Sequence, residues 1–321
     1  MYELLSNDVP FVFSTSAVSS TEILKGCSDE KEKEWKRKPT GDGKVSPTEK
    51  KKRLDQEKTQ TEQRRNPLQS NGKYATLKSI IHHCTVERLF LIIHFVAMFQ
   101  DENTTQISVE VAAMRKLSAG TPGSGGTSAA VSLLDWFDLH QELILVMERP
   151  VPAVNLEDYI QENGSSLTED TAKVILKQLT EAAKELEDKN IFHRDIKTEN
   201  ILIETGSDVP RVRLIDFGLS CFFTKRSGYC VFFGTPCFCP PEWLTHNYYR
   251  PGPTTVWQLG TVLYAALHAE VSFETQMLLE NNLNINKELS EHCLHFLKMC
   301  LKLDPKRRPT LEDLLLHPWL R

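Results

Sequence analysis

Four short motifs, in a fixed order, constrain this chain more than any other feature of its 321 residues. HRDIKTEN occupies residues 193–200, and DFG follows at 216–218, 21 residues after Asp195. PPE ends at Glu242, and KLDPKRRPT ends at Thr310. One such motif alone would be a weak signal, but four in this order and at these spacings indicate a single catalytic architecture.

The residue types within the first two motifs are those that phosphoryl transfer requires. Asp195 can orient an attacking hydroxyl and accept its proton, and Lys197 can steady the transferring phosphate. Asn200 offers Mg²⁺ a neutral oxygen ligand and Asp216 a charged one, and Mg²⁺ that is shared with nucleotide phosphates prefers such hard ligands. Aspartates that only formed turns would not require Lys197 and Asn200 at these offsets. We therefore predict Asp195 and Lys197 as catalytic residues, Asn200 and Asp216 as metal ligands, and ATP and Mg²⁺ as cofactors.

The folded part of the chain is predicted to be α+β, with a few strands followed by a mostly helical body. Two short apolar segments have the length of adjacent strands, and a further pair resembles a small hairpin. A long amphipathic helix is expected after Thr168, which is a plausible cap. The segments are, in order, a helix at 109–117, strands at 131–137 and 143–148, the long helix at 167–189, a hairpin at 201–203 and 212–215, and helices from Thr255 onward.

The first part of the chain has a different composition. Residues 28–65 are dense in charge and almost free of aliphatic side chains, so they cannot bury enough apolar area to offset the entropy of ordering. We predict a disordered charged tail over residues 1–66 and a folded domain over 67–321. The KKKR cluster at 50–53 is interpreted as part of a solvated tail, with a nuclear-import signal as the alternative.

Composition excludes several classes of protein and partner. The net charge is −5, and acids interrupt the basic run of the tail, so no nucleic acid partner is expected. The most apolar run, residues 89–99, is shorter than the ~20 residues that span a bilayer, so we expect a buried strand or helix and no membrane partner. The eight cysteines form no CxxC pair, which favours free thiols in a reducing compartment. We expect a cytoplasmic monomer.

The motifs together resemble those of eukaryotic protein kinases. Lys197 after HRD and GTP at 234–236 are typical of the serine/threonine branch of that family. Within it, the segments that resemble the Pim kinases are LLDWF at 133–137, LVMERPVP at 145–152, FCPPEW at 238–243 and TTVWQLG at 254–260. The resemblance covers about residues 106–319 and implies a bilobal fold, with a degenerate N-lobe over 67–148 and a largely helical C-lobe over 149–321.

This resemblance also implies roles for residues that bind the cofactor and the substrate. Pro150 lacks an N–H, so the hinge would offer adenine one backbone hydrogen bond, from the carbonyl of Glu148. Glu110 matches a helix glutamate that pairs with a lysine of the nucleotide site, although a surface helix residue would need no such explanation. Asp158 and Glu199 match acids that hold basic residues of protein substrates. Asn155, placed among the cofactor-binding residues, stands where Pim kinases have another acid, which weakens the expected preference for basic peptides.

Four further residues have structural roles by the same resemblance. Arg194 matches an arginine that pairs with a phosphorylated loop residue. Thr235 matches a threonine that bridges the catalytic aspartate and lysine, which favours a structural role over phosphorylation. Glu242 and Arg308 match a buried ion pair that anchors the activation segment to the last helices.

The beginning of the kinase pattern is missing. No GxGxxG loop or Val-Ala-Ile-Lys strand precedes Glu110, and the GTPGSGGTS segment at 120–128 follows it. Lys73 and Lys78 are the nearby lysine candidates for the nucleotide phosphates. The sequence therefore leaves two hypotheses open: a serine/threonine kinase of which this chain is an altered splice or gene-model product, and a catalytically impaired pseudokinase that acts as a scaffold or regulator.

Overall fold

The computed structural model describes residues 12–15, 88–93, 98–100, 106–118, 129–138, 143–268 and 273–321. Within them the chain forms eight α-helices and eleven strands, with short 3-10 turns between some of them. The strands are β1 (Val12–Thr15), β2 (Arg88–Ile93), β3 (Met98–Gln100), β4 (Gln106–Ser108), β5 (Leu133–Asp138), β6 (Leu143–Glu148), β7 (Ala153–Asn155), β8 (Ile191–Phe192), β9 (Ile201–Glu204), β10 (Arg211–Leu214) and β11 (Cys221–Phe222). The helices are α1 (Val109–Ser118), α2 (Leu156–Glu162), α3 (Glu169–Asp188), α4 (Pro241–His246), α5 (Pro251–Leu267), α6 (Thr275–Leu279), α7 (Glu291–Cys300) and α8 (Leu311–Leu315).

A four-stranded sheet occupies the first half of the fold, in the order β1-β2-β6-β5. β5 and β6 pair as antiparallel neighbours, which confirms the prediction from their two apolar segments. β2 pairs antiparallel with the other side of β6 and belongs to the apolar run at 89–99. β2 contains no lysine; its one basic residue is Arg88.

β1 differs from the prediction of disorder for the first residues of the chain. Its four residues, VFST, run parallel to β2, with Val12 opposite Phe90. They precede the charge-dense stretch that starts at residue 28, and apolar and β-branched residues suit a strand. The rest of the predicted tail lies outside the described residues, so the domain boundary at 66 stays a prediction.

The helical body packs around α3, whose predicted spacing and cap are confirmed. The hydroxyl oxygen of Thr168 accepts a hydrogen bond from the backbone N–H of Thr171 and so caps the first turn. One face of α3 is buried against α5, α8 and β10. α5 begins at Pro251, four residues before the predicted start, because proline is well suited to the first turn of a helix, where its missing N–H is not needed.

A second sheet connects the two parts of the fold. β9 and β10 form the predicted hairpin, and β7 pairs with the free side of β9.

The described cysteines are all free thiols, namely Cys221, Cys230, Cys237, Cys239, Cys293 and Cys300. In the described part of the chain, no helix combines the length and the apolar character that a bilayer crossing needs. The fold is α+β, as predicted.

Candidate active site

Two antiparallel strand pairs bring the predicted catalytic and metal-binding segments to one place. The loop that contains Asp195 follows β8 directly, and Asn200 directly precedes β9. Because β9 pairs with β10, the residues that follow β10 return to the start of β9, and the Ile215 N–H donates to the Asn200 carbonyl at 3.0 Å. β11, which follows Asp216, pairs with β8. The residues between β10 and β11 therefore lie next to the loop that contains Asp195.

Asp195 is held by hydrogen bonds on both of its carboxylate oxygens. Oδ1 accepts from the backbone N–H of Thr235 at 3.0 Å and from its hydroxyl at 2.7 Å. Oδ2 lies 3.3 Å from Nδ2 of Asn200 and 3.8 Å from Nζ of Lys197. The residue is 8% exposed, so its carboxylate has a fixed orientation at the edge of the core. Thr235 therefore contacts the predicted catalytic aspartate, and the contact with Lys197 that the resemblance also implied stays a prediction.

His193 holds the loop that contains Asp195 through both nitrogens of a neutral ring. Its Nε2 lies 3.1 Å from the carbonyl oxygen of Ile215, which can only accept, so Nε2 carries the proton. Its Nδ1 accepts from the backbone N–H of Asp195 at 3.3 Å. Burial lowers the pKa of His193, against the opposing effect of the Asp216 and Asp195 charges. One imidazole therefore links the Asp195 loop to the strand that leads to Asp216.

Asn200 and Asp216 have the free oxygens that a Mg²⁺ ion would need. Nδ2 of Asn200 donates to the carbonyl of Asp195 at 2.9 Å, which leaves its Oδ1 without a donor among the described residues. Oδ1 of Asp216 accepts from the Gly218 N–H at 3.1 Å, and its other oxygen has no such bond within the described residues. Mg²⁺ sites of nucleotide enzymes take one or two ligands from the protein and the others from phosphates and water. One amide oxygen and one carboxylate match this protein contribution.

Lys197 lies between two acids. Its Nζ is 3.3 Å from Oε1 of Glu199, in addition to its approach to Asp195. Glu157, which the sequence analysis did not single out, belongs to the same group: burial and then the charges of Glu199 and Asp158 raise the pKa of Glu157, against the effect of Lys197. Glu199, Glu157 and Asp158 thus form one negative surface near Lys197. No signal in the sequence distinguishes Glu157 from other exposed helix acids.

Asn155 and Asp158 are joined at the start of α2. Oδ1 of Asn155 accepts from the backbone N–H of Asp158 at 2.8 Å and caps the helix. Nδ2 of Asn155 donates to Oδ2 of Asp158 at 2.6 Å. This amide thus faces the predicted substrate-binding acid, and the role of Asn155 in cofactor binding stays a prediction.

Glu110 on α1 has a buried carboxyl group without a cation among the described residues. The side chain is 3% exposed, and neither carboxyl oxygen has a hydrogen-bond partner of normal geometry there. Burial and then the charge of Asp216 raise the pKa of Glu110 to about 8, although the Phe217 amide opposes the rise. The structure thus brings Glu110 to Asp216. The predicted lysine partners, Lys73 and Lys78, lie outside the described residues.

Glu148 ends β6 and is held by an arginine that the sequence analysis missed. Its two carboxylate oxygens accept from the guanidinium of Arg213 at 2.9 and 2.7 Å. Arg213 also donates to Glu204 at 3.1 Å and to the carbonyl of Ala130. Burial acts to raise the pKa of Glu148, but the bonds from Arg213 and Ser132 outweigh it and lower the pKa. The carboxylate is thereby occupied, and the bond from the Glu148 carbonyl to adenine stays a prediction.

Comparison with known protein families agrees with this geometry. The family model described as "Protein kinase domain" matches residues 70–320, which is most of the chain. The chain belongs to the protein kinase domain family. Its α+β fold is the kinase-like fold that the motifs predicted.

Curated relatives of this chain include serine/threonine protein kinases. The chain is 37% identical over 213 residues to serine/threonine-protein kinase pim-2 from Danio rerio. The aligned residues cover 66% of this chain and 67% of that protein. The chain is 33% identical over 226 residues to serine/threonine-protein kinase prk-2 from Caenorhabditis elegans, which covers 68% of this chain but only 48% of the relative. Serine/threonine-protein kinase PSK1 from Saccharomyces cerevisiae is 35% identical over 195 residues, 59% of this chain and 14% of that protein. The chain thus spans less than half the length of two of these three relatives.

Arg194 packs against three aromatic rings. Its guanidinium carbon lies 4.5 Å from the ring centre of Tyr229, 4.8 Å from that of Phe233 and 5.9 Å from that of Phe192. Such cation–π contacts neutralise part of the cost of burying the charge. Tyr229 and Phe233 belong to the activation segment, which runs from DFG to PPE, so this segment contacts Arg194 without a phosphate. The pairing of Arg194 with a phosphorylated residue stays a prediction.

Glu242 and Arg308 form a buried bidentate ion pair. The distances are 2.9 Å from NH1 to Oε1 and 2.6 Å from NH2 to Oε2. Arg308 also donates to the carbonyls of Lys302 and Pro253 and stacks over Trp257 at 4.9 Å. The pair thus joins α4, at the end of the activation segment, to α5 and the last helices of the fold.

Proposed function

We propose that this chain is a serine/threonine protein kinase of the Pim type, which transfers the γ-phosphate of ATP to hydroxyl groups of proteins. The observation that carries this proposal is the orientation of Asp195. Thr235 occupies its Oδ1 with two hydrogen bonds, and Oδ2 faces Lys197 and Asn200. A carboxylate held in this way is suited to accept one proton in a defined direction.

Asp195 and Lys197 divide the chemical work between them. Asp195 orients the acceptor hydroxyl and receives its proton at Oδ2, the oxygen that Thr235 leaves free. Lys197, 3.8 Å from that oxygen, supplies positive charge beside the transferring phosphate. Since Thr235 and Asn200 orient Asp195 and Glu199 pairs with Lys197, little reorganisation of the two side chains is needed during the reaction.

The residues that would hold the cofactors are Asn200 and Asp216 for Mg²⁺ and the carbonyl of Glu148 for adenine. When bound, the metal neutralises charge on the phosphates and fixes their position. Glu148 is suited to its role because Arg213 fixes its side chain, so the backbone that follows β6 has a defined starting point. Pro150 has no N–H to offer, so adenine would gain one hinge hydrogen bond.

Protein substrates with basic residues near the acceptor hydroxyl fit the negative surface beside Lys197. Glu199 and Asp158 were predicted for this role, and Glu157 adds a third carboxylate. Asn155 contributes no charge there, so we expect a weaker preference for basic peptides than a further acid at this position would give.

Phosphotransfer with the purified chain tests the proposal. The chain is incubated with Mg²⁺, ATP and an arginine-rich serine peptide, alongside Asp195→Ala and Asp216→Ala. We expect turnover in the parent chain and its loss in both variants, by about 10³-fold or more, because each removes a group that acts in the transition state. Full turnover in Asp195→Ala would contradict the assignment of the base.

A second candidate function is a kinase-like scaffold with impaired catalysis. It is favoured by Glu110, whose buried carboxyl has no cation among the described residues. A thermal shift with nucleotide and Mg²⁺ distinguishes the two functions, because only a nucleotide-binding chain is stabilised through its bound state. No shift in the parent chain, together with no turnover, would support the scaffold.

A further inference from the structure

Gln258 on α5 reaches the loop that holds Asp195. Its Nε2 donates a hydrogen bond of 2.5 Å to the backbone carbonyl of Arg194. The direction of the amide follows from its partner, because a carbonyl oxygen can only accept and Nε2 is the donor of the glutamine side chain. The side chain is 3% exposed, so water does not compete for this bond.

The carbonyl that Gln258 binds belongs to the peptide group between Arg194 and Asp195. The N–H of the same peptide group donates to Nδ1 of His193 at 3.3 Å. Both polar ends of this peptide group therefore have fixed partners, one from the loop itself and one from α5. Since this peptide group sets the position of the Asp195 backbone, its two partners also restrict where the Asp195 carboxylate lies.

Two further features show that this carbonyl is held closely. Arg194 has φ +73°, in the left-handed region that residues other than glycine rarely adopt. On the other side, Gly234 has φ +141°, and a Cβ at that position would lie 2.8 Å from the Arg194 carbonyl oxygen. Gly234 directly precedes Thr235, which binds Asp195 Oδ1. The Arg194 carbonyl thus lies between α5 and the activation segment.

The other end of the Gln258 amide makes no comparable contact. Oε1 is buried and has no hydrogen-bond partner among the described residues. A buried acceptor without a partner is unfavourable, and an apolar side chain of the same volume would avoid it. The glutamine at this position is therefore explained by the one bond that its donor makes to Arg194.

We propose that Gln258 is a positioning residue that fixes the Arg194–Asp195 peptide group and, through it, the direction of the Asp195 carboxylate. This inference rests on the proposed function for its catalytic consequence. Its structural part, the restraint on the loop, holds whether or not this chain transfers phosphate.

Hydrogen exchange tests the restraint without requiring activity. Gln258→Met removes the donor and keeps the volume of the side chain, and Gln258→Asn keeps the amide but withdraws it by one methylene group. Thr261→Val is the matched control, because its buried hydroxyl bonds within α5 to the Gln258 carbonyl and does not contact the loop. Backbone amide exchange is followed by mass spectrometry over the peptides that contain residues 193–197.

We expect about fivefold to tenfold faster exchange over 193–197 in both Gln258 variants, as loss of one net hydrogen bond implies. Peptides of α3 and α7 should be unchanged, and Thr261→Val should leave 193–197 unchanged. Unchanged exchange over 193–197 in the Gln258 variants would overturn the proposal. So would faster exchange in every peptide, which would indicate only a general loss of stability.

Steady-state kinetics separate this inference from the proposed function. In an active parent chain, Gln258→Met should lower kcat by ~10-fold to 100-fold, since small displacements of a catalytic group have effects of that size. The KM for Mg²⁺-ATP should stay within about twofold, because the residues assigned to the nucleotide do not change. Equal losses in kcat and in nucleotide affinity would contradict a positioning role. If the parent chain has no turnover, the proposed function fails and hydrogen exchange still decides the role of Gln258.

Discussion

Thr235 and Asp195 are joined across 40 residues of chain by a hydrogen bond of 2.7 Å from the threonine hydroxyl to Oδ1. The backbone N–H of Thr235 adds a second bond to the same oxygen. This contact attaches the activation segment to the catalytic loop and selects which oxygen of Asp195 remains for a substrate.

Replacement of Thr235 tests that contact. Thr235→Val keeps the shape but removes the hydroxyl, and the loss of one bond to a charged group should weaken the contact by about 1.5–3 kcal/mol. We expect kcat for peptide phosphorylation to fall at least tenfold. Thr235→Ser, which keeps the hydroxyl, should retain activity within about threefold. Equal activity in the two variants would mean that the hydroxyl does not orient Asp195.

Replacement of Glu110 should change how stability depends on pH. The pKa of Glu110 is raised to about 8 in the folded chain from an ordinary value of 4.5, so between these values the folded state holds a proton that the unfolded state has released. The free energy of unfolding therefore falls as pH rises from 5 to 8. The fall is about 1.4 kcal/mol for each pH unit over which the folded state alone holds the Glu110 proton. Glu110→Gln should melt at a higher temperature than the parent, and the difference should grow with pH.

Thermal unfolding at pH 5, 6.5 and 8 measures this effect, with Glu181→Gln on the exposed face of α3 as the control. A difference that is the same at all three pH values would show that the Glu110 carboxyl is ionised throughout. In that case a cation outside the described residues would compensate it.

The ion pair of Glu242 and Arg308 should contribute strongly to stability when either partner is removed. Glu242→Gln leaves the guanidinium of Arg308, whose side chain is fully buried, without its counter-charge. Loss of one partner of such a pair typically costs about 3–5 kcal/mol. The free energy of unfolding from urea titration should fall by that amount.

An exposed pair provides the comparison. Asp188 is paired with Lys184 on α3, and its side chain is 62% exposed. Asp188→Asn should change the free energy of unfolding by no more than about 1 kcal/mol. If the two substitutions had equal effects, burial would not be the cause of the difference.

Arg213 should stabilise the end of β6 in a pH-dependent way. Its side chain is 3% exposed and pairs with Glu148 and Glu204. Because Arg213 lowers the pKa of Glu148, that pair contributes stability above the unfolded value of 4.5, and the contribution is lost as pH falls through the lower folded value. Arg213→Met should therefore destabilise the chain at pH 7, and less so at pH 3.5.

Chemical unfolding at the two pH values checks the sign. Arg211→Met is the control, since Arg211 lies on the same strand and pairs at 3.5 Å with the other oxygen of Glu204, but is 37% exposed. A larger loss at pH 3.5 than at pH 7 in Arg213→Met would contradict the ion-pair explanation.

Local patterns were sufficient to predict the elements whose cause is local. α3 follows from its apolar spacing and the cap at Thr168, and the β9–β10 hairpin follows from two short apolar segments. The contact between Asp195 and Asn200, and the return of the chain to Asn200 just before Asp216, agree with the common site that the order and spacing of the HRD and DFG motifs predicted.

Residues whose contacts are distant in sequence could not be predicted in this way. Arg213 is one of two arginines on β10 until folding places it against Glu148, 65 residues away. Gln258 lies in the mostly buried helix α5 and is 64 residues from its partner Arg194. Glu157 resembles any helix acid until α2 brings it to Glu199. In each case the three-dimensional fold, and not the local sequence, creates the contact.

The bonds from Arg213 to Glu148 and Glu204 have a consequence for how the two sheets can move. Glu148, the last residue of β6, is bound to the β9–β10 hairpin through Arg213. Any rotation of the four-stranded sheet relative to the helical body must therefore take place at the few residues between Glu148 and β7. That short connection is Arg149–Pro152, in which two prolines restrict the backbone torsions. Relative motion of the two sheets would then follow one narrow arc, rather than a broad range of orientations.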